Sequence, residues 1–168
     1  MNDNQWKVIY VSSRHEKKVA LLLTKYNIVH YLPMVKRLQQ WSDRKKWVES
    51  PLFNGYIFVK PTELQTDEVL QIPSVVKYVK YNGLPAVVRD SEIETIHNMI
   101  EFGYELNTGG WDNNMIPGSK VTVTQGALKG MHGELVKIKN ETQFMVVLET
   151  INQFIRVSLP PDVLESIS

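Results

Sequence analysis

Residues 50–61, Ser50-Pro51-Leu52-Phe53-Asn54-Gly55-Tyr56-Ile57-Phe58-Val59-Lys60-Pro61, decide how the chain folds. An apolar pair, Leu52 and Phe53, meets an Asn54-Gly55 step, and Tyr56 to Val59 then run as an aromatic and β-branched stretch closed by Lys60-Pro61. A short run of this kind between turn formers predicts a strand, and the lack of polar alternation predicts that both its faces are covered, as in the middle of a sheet. Side chains alternate along a strand, so Tyr56 and Phe58 share one face while Ile57 and Val59 share the other. Periodicity alone leaves the aromatic face two uses, core or recognition.

Upstream, Gln5 to Val11 (QWKVIYV) alternates well enough for a first strand, and Ser13 with Glu16 three residues later has the form of a capping box. The helix predicted from Arg14 to Tyr26 carries an apolar stripe of Val19, Leu22, Leu23 and Tyr26, with Arg14, Lys17, Lys18 and Lys25 on or near the opposite side. A solvated helix face accounts for these cations as readily as a binding surface does. Ile28 to Val35 reads as a second strand, at an edge or with a bulge because Pro33 cannot donate to a ladder. Lys36 to Glu49 holds five basic residues against two acidic ones, with Trp41 and Trp47 interleaved. It reads as a long twisted hairpin with a basic tip near Ser42-Asp43-Arg44, suited to phosphates and base stacking unless the indoles pack on their neighbours.

Downstream, Thr62 to Ile72 predicts a short helix capped by Thr62 or Thr66 and broken by Pro73-Ser74. Val75 to Tyr81 and Pro85 to Val88 flank an Asn82-Gly83 hairpin turn. A further helix starts at Asp90-Ser91 and ends near Gly103, burying Ile93, Ile96 and Ile100. Residues 104–116 lose all periodicity and read as a linker. Beyond them lie only short β-type runs, KVTVT, GELVKI, QFMVVLE and FIRVSL, which predict a small barrel. The expected class is α+β. An N-terminal α/β sandwich, with a mixed, mostly antiparallel sheet and flanking helices, occupies residues 1–103, and an SH3-like β-barrel occupies residues 117–168.

Of 168 residues, 43% are hydrophobic and 22% charged, enough for a core and with no stretch apolar enough to cross a bilayer. The start has no basic segment followed by a long apolar run, so a cytoplasmic protein is expected, and the Asn140-Glu141-Thr142 sequon is then only a surface turn. Zero cysteines exclude disulfides, thiolate metal sites and thiol catalysis. A net charge of +1 excludes a polycation, so any nucleic-acid contact is local. His15, His30, His97 and His132 are scattered, no HExxH or GxxxxGK[ST] pattern occurs, and Gly126 to Gly133 lacks the Lys-Ser/Thr that holds phosphate and magnesium. Neither an enzyme, a metal nor a cofactor is expected.

Trp6 in the opening strand, the PLFNGYIFV run, the Pro73-Ser74-Val75 break and the block GSKVTVTQGALKGMHGELVKI together resemble the NusG family of transcription elongation factors, over nearly the whole chain. The last block resembles the KOW motif, with Gly118, Val121, Val123, Gly126, Gly130 and Gly133 in the expected order. Gly126 and Gly133 fall where a tight barrel needs positive φ or close backbone approach. The compact N-terminal part and the PLF-x-x-Y-x-F strand look closer to specialised antiterminators of the RfaH and UpxY kind than to housekeeping NusG.

This resemblance implies a monomeric transcription antitermination or elongation factor that binds the clamp helices of RNA polymerase and suppresses pausing or termination at specific operons. The residues it assigns to the polymerase are Phe53, Tyr56 and Phe58, with Gln65, Thr66 and Asp67 facing the far side of the cleft. It assigns the non-template DNA strand to Arg14, His15, Lys17 and Lys18, and contact of the barrel with a ribosomal protein or Rho to Ile151, as an exposed apolar residue. In one relative the second domain refolds into a helical hairpin; here Val146, Val147, Ile155 and Val157 favour strands. The alternatives are a general NusG-type factor linking polymerase to Rho or ribosome, and a KOW-type ribosome- or RNA-binding protein.

Overall fold

The structure is a computed structural model that describes residues 4–109, 115–126, 128–138, 141–148 and 151–167, with backbone alone at 115–117, 138 and 141. Residues 110–114 of the linker stretch, Ala127 of the glycine-rich block and Asn140 of the sequon lie outside the described residues. The chain divides into two units, Met1–Asp90 and Ser91–Ser168.

In the first unit the quoted stretch supplies β5 (Tyr56–Lys60), one of two inner strands of a sheet ordered β2-β5-β1-β6, where β1 is Trp6–Val11, β2 Val29–Tyr31 and β6 Val75–Tyr78. A further short strand, β9 (Val87–Val88), pairs with the start of β1. The sheet was expected to be mixed and mostly antiparallel, and its described ladders are all antiparallel. The reason is topological: β1 and β2, joined by helix α1 (Glu16–Lys25), run the same way, but β5 inserts between them and pairs antiparallel with both.

Ile9, Val11, Ile57 and Val59 point to one face, where they meet Val19 and Leu23 of α1, Ile28, Val69 of helix α2 (Gln65–Gln71), Ile72 and Tyr78. Each such side chain taken from water contributes about 1.5–3 kcal/mol, so this layer holds both helices on the sheet. The helix α1 begins two residues later than the capping-box pattern predicts, and no side chain caps it. Arg14 takes a left-handed backbone (φ 68) that the helix cannot include, and Glu16, instead of reaching back to Ser13, is buried against the turn before β5.

The basic stretch forms the expected hairpin, β3 (Met34–Gln40) with β4 (Lys45–Pro51), closed by a Trp41 N–H donated to the Arg44 carbonyl at 2.7 Å. The strand predicted over residues 28–35 is split, because Pro33 separates β2 from β3. Beyond β6, β7 (Lys80–Tyr81) and β8 (Leu84–Pro85) close the Asn82-Gly83 hairpin.

The second unit contains α3 (Asp90–Glu101) from Ser91 onward, with Ile96 and Met99 buried, and a six-stranded antiparallel sheet. Its order is β10 (Asn107–Gly109), β14 (Gln153–Val157), β13 (Glu141–Leu148), β12 (His132–Ile138), β11 (Met115–Val123), β15 (Leu164–Ser166). Asn107–Gly109, inside the stretch read as linker, pairs with β14, a register that polar, glycine-ended residues do not announce. Gly133 has the close approach anticipated for it: a Cβ there would lie 2.5 Å from the Phe144 ring and 2.6 Å from the Met145 carbonyl oxygen.

Candidate polymerase and nucleic-acid interfaces

The face of the first sheet away from the α1 layer is aromatic. Tyr10 stands opposite Tyr56 in the β1–β5 ladder, and Tyr31 opposite Phe58 in the β2–β5 ladder. Side chains directly across a ladder share a face, so four rings converge. Tyr10 and Tyr56 meet edge to face at 5.5 Å between centroids, Tyr31 stacks on Phe58 at 6.4 Å, and Phe53 meets Phe58 edge to face at 6.2 Å.

Accessibility divides this group differently from the sequence expectation. Phe58 is 0% exposed and Phe53 3% exposed, so neither ring offers surface to a partner. Phe58 lies under Tyr31, and Phe53 packs against Phe58. Tyr56 and Tyr31 are half-buried and Tyr10 is 40% exposed. The outward apolar surface is therefore a tyrosine strip, Tyr10, Tyr56 and Tyr31, whose rings pack while part of each stays accessible. Tyr10 and Tyr31 were missed because each sits in a separate alternating run, and only the register with β5 puts them beside Tyr56.

The loop before Tyr56 is fixed by backbone geometry. Gly55 has φ +83, a conformation that penalises any side chain, and a Cβ there would press on the Tyr10 ring at 3.1 Å. Its carbonyl accepts the Val11 N–H at 2.8 Å, and its N–H donates to Glu16 Oε1 at 2.8 Å.

The residues assigned to DNA, Arg14, His15, Lys17 and Lys18, are brought together, all exposed at the start of α1. His15 Nδ1 and Ser74 Oγ are 2.7 Å apart, and Ser12 N–H donates to the Ser74 carbonyl at 2.9 Å, so the loop carrying Arg14 is tied to the Pro73-Ser74 corner. Lys17 Nζ donates to the Glu49 carbonyl at 3.4 Å, joining the helix start to the base of the β3–β4 hairpin. On one face of that hairpin the directly paired Leu38 and Trp47 are both exposed, Trp47 by 65%, between the Lys36–Glu49 and Gln40–Lys45 pairs. At the tip the Arg44 guanidinium lies 5.6 Å from the Trp41 ring. Exposed indoles among cations are what a splayed nucleotide requires, a flat surface and a phosphate counter-charge.

Gln65, Thr66 and Asp67 open α2. Gln65 is occupied structurally: its Oε1 accepts the Thr62 N–H at 3.1 Å, its N–H donates to Thr62 Oγ1 at 3.3 Å, and its Nε2 donates to the Asn27 carbonyl at 3.2 Å. Thr66 Oγ1 donates to the Thr62 carbonyl at 3.0 Å, leaving Asp67 as the exposed member. The Thr66 carbonyl accepts the Tyr78 hydroxyl at 2.8 Å, and burial, with the nearby Asp67 carboxylate, pushes that phenol up to about 12.

In the second unit Ile151, expected to be exposed, is 4% exposed. It precedes Asn152, whose left-handed backbone (φ 51) turns the chain into β14, and an aliphatic side chain at such a corner gains more by tucking inward than by meeting water. Among the described residues no cluster of three or more His, Asp or Glu side chains could hold a metal, and no helix is long and apolar enough to cross a membrane.

Comparison with known proteins follows the same lines. The family model described as "Transcription termination factor nusG" matches residues 4–97, more than half of the 168 residues. The "Transcription termination/antitermination protein NusG" of Streptococcus pyogenes serotype M3 (strain ATCC BAA-595 / MGAS315) is 27% identical over 154 residues, 82% of this chain and 83% of that protein. Its counterpart from serotype M1 matches equally. A solved structure described as "Domain interaction in Thermotoga maritima NusG" superposes with a TM-score of 0.56 at 21% identity, covering 98% of both chains, a likeness of fold.

Proposed function

Because the chain belongs to the NusG family of transcription termination and antitermination proteins, we propose that it docks on RNA polymerase through the tyrosine strip Tyr10, Tyr31 and Tyr56 and lays the start of α1 on the non-template DNA strand. The observation that carries this reading is the exposed part of an aromatic face whose remaining rings, Phe53 and Phe58, are buried. A protruding helical tip such as that of the polymerase clamp gains apolar contact from the rings. Asp67, at the exposed start of α2, faces the other side of the cleft. Bridging the two sides favours the closed, processive polymerase to the degree that the protein binds that state better, and about 1.4 kcal/mol of preference shifts the balance tenfold.

Arg14, His15, Lys17 and Lys18, with the β3–β4 hairpin tied to them through Lys17, hold phosphates and unstacked bases of the displaced strand. The second unit is a KOW-type SH3-like barrel that meets another factor, a ribosomal protein or Rho, through surfaces other than the buried Ile151. The compact first unit suits a specialised paralogue of the RfaH and UpxY kind acting at chosen operons. A pause-readthrough assay with purified polymerase tests the reading: the wild-type chain shortens pauses and Tyr56→Ala does not. Equal readthrough by both, with Tyr56→Ala still folded, would remove the tyrosine strip from the mechanism.

A further inference from the structure

Glu16 is the one acidic residue within the run Arg14 to Lys18, and it is buried (5% exposed) while its four neighbours are exposed. A carboxylate leaves water at a cost, so its burial calls for a partner that repays it. That partner is the Gly55 N–H, at 2.8 Å, with the N-terminus of α1 adding favourable dipole at the first helical residue. Gly55 in turn precedes Tyr56, accepts from Val11 at the end of β1, and lies against the Tyr10 ring. One carboxylate thus joins the element that bears the cations to the turn that sets two rings of the tyrosine strip.

We propose that Glu16 is a positioning residue that fixes the basic start of α1 relative to the tyrosine strip, so that polymerase and displaced DNA strand are engaged by one rigid surface. The proposal rests on the functional reading above. It accounts for a negative charge inside a patch that binds phosphate: by Coulomb repulsion alone, the charge weakens strand binding, so its use lies in reach and not in sign.

Two substitutions separate these properties in the full chain. Glu16→Gln removes the charge and keeps an acceptor oxygen at the same reach. Glu16→Asp keeps the charge and shortens the arm by one methylene, out of hydrogen-bond range of Gly55. The measurement is the ratio of affinities for core polymerase carrying a DNA–RNA scaffold with a single-stranded non-template segment and for the same polymerase without nucleic acid. Amide hydrogen exchange at Gly55 is followed in parallel. In Glu16→Asp the Gly55 amide exchanges faster and the ratio falls about tenfold, as loss of one charge-assisted hydrogen bond that positions the helix predicts. Glu16→Gln retains protection at Gly55 and a wild-type ratio. An unchanged ratio in Glu16→Asp despite faster exchange at Gly55, or a ratio raised in Glu16→Gln and unchanged in Glu16→Asp, overturns the positioning role and leaves Glu16 as a local charge. A wild-type ratio of one fails earlier: it overturns the strand contact itself, and the inference with it.

Discussion

Truncating Tyr56 and Tyr10, singly and together, tests the docking surface most directly. The two rings face each other across the β1–β5 ladder with centroids 5.5 Å apart and planes at 68°. Neither supports the layer beneath α1 and α2, which is built from Ile9, Val11, Ile57 and Val59 on the other side. Removing either ring therefore subtracts partner contact more than fold stability. A well-covered aromatic anchor is worth about 2 kcal/mol in a complex, which is about thirtyfold in Kd. An edge-to-face pair carries about 0.5–1.5 kcal/mol of mutual interaction, already made in the free protein, so the double variant loses less folding stability than the sum of the singles by about that amount, while the affinity losses add. The assay is a fluorescence anisotropy titration of labelled protein with core polymerase, with thermal denaturation of each variant alongside. Leu21→Ala serves as control, since Leu21 is 73% exposed on α1 and belongs to neither interface. Tyr56→Ala and Tyr10→Ala that bind within about twofold of wild type while folded, or a Leu21→Ala loss of equal size, would refute the assignment of the strip to the polymerase.

Three other outcomes follow from the geometry. Lys17→Ala with Lys18→Ala lowers recruitment to a paused complex and reduces the salt slope of binding by about 1.4, two phosphate contacts at about 0.7 each on a single strand; parallel salt plots for variant and wild type would return these lysines to solvated surface. Tyr78, whose phenol is held near 12 against 10.0 for the free group, favours the folded state below pH 10 and loses that contribution as pH rises toward 12. Absorbance at the tyrosinate band should show a late step in the wild-type titration that Tyr78→Phe lacks, and an identical pair of curves would contradict the burial effect. Gly133→Ala forces a methyl against Phe144 and the Met145 carbonyl oxygen and destabilises the second unit by about 1–3 kcal/mol, read as a lower denaturant midpoint for its strands.

Local pattern determined much of this protein. The run from Tyr56 to Val59 was legible as an inner strand, because aromatic and β-branched side chains without polar alternation call for cover on both faces, and its split into Tyr56/Phe58 and Ile57/Val59 followed from the period of two. The basic hairpin, the Asn82-Gly83 turn and the strands of the second unit were legible for the same reason: turn chemistry and alternation act over a few residues. What pairs with what is a long-range matter, and there the tertiary structure decided. Insertion of β5 between β1 and β2 made both of its ladders antiparallel and brought Tyr10 and Tyr31 beside Tyr56 and Phe58, while Phe53 and Phe58 were buried. Glu16 satisfied a backbone N–H 39 residues away instead of capping its own helix, and Ile151 turned inward. A side chain's exposure depends on what the rest of the chain places over it, which no window of neighbouring residues contains.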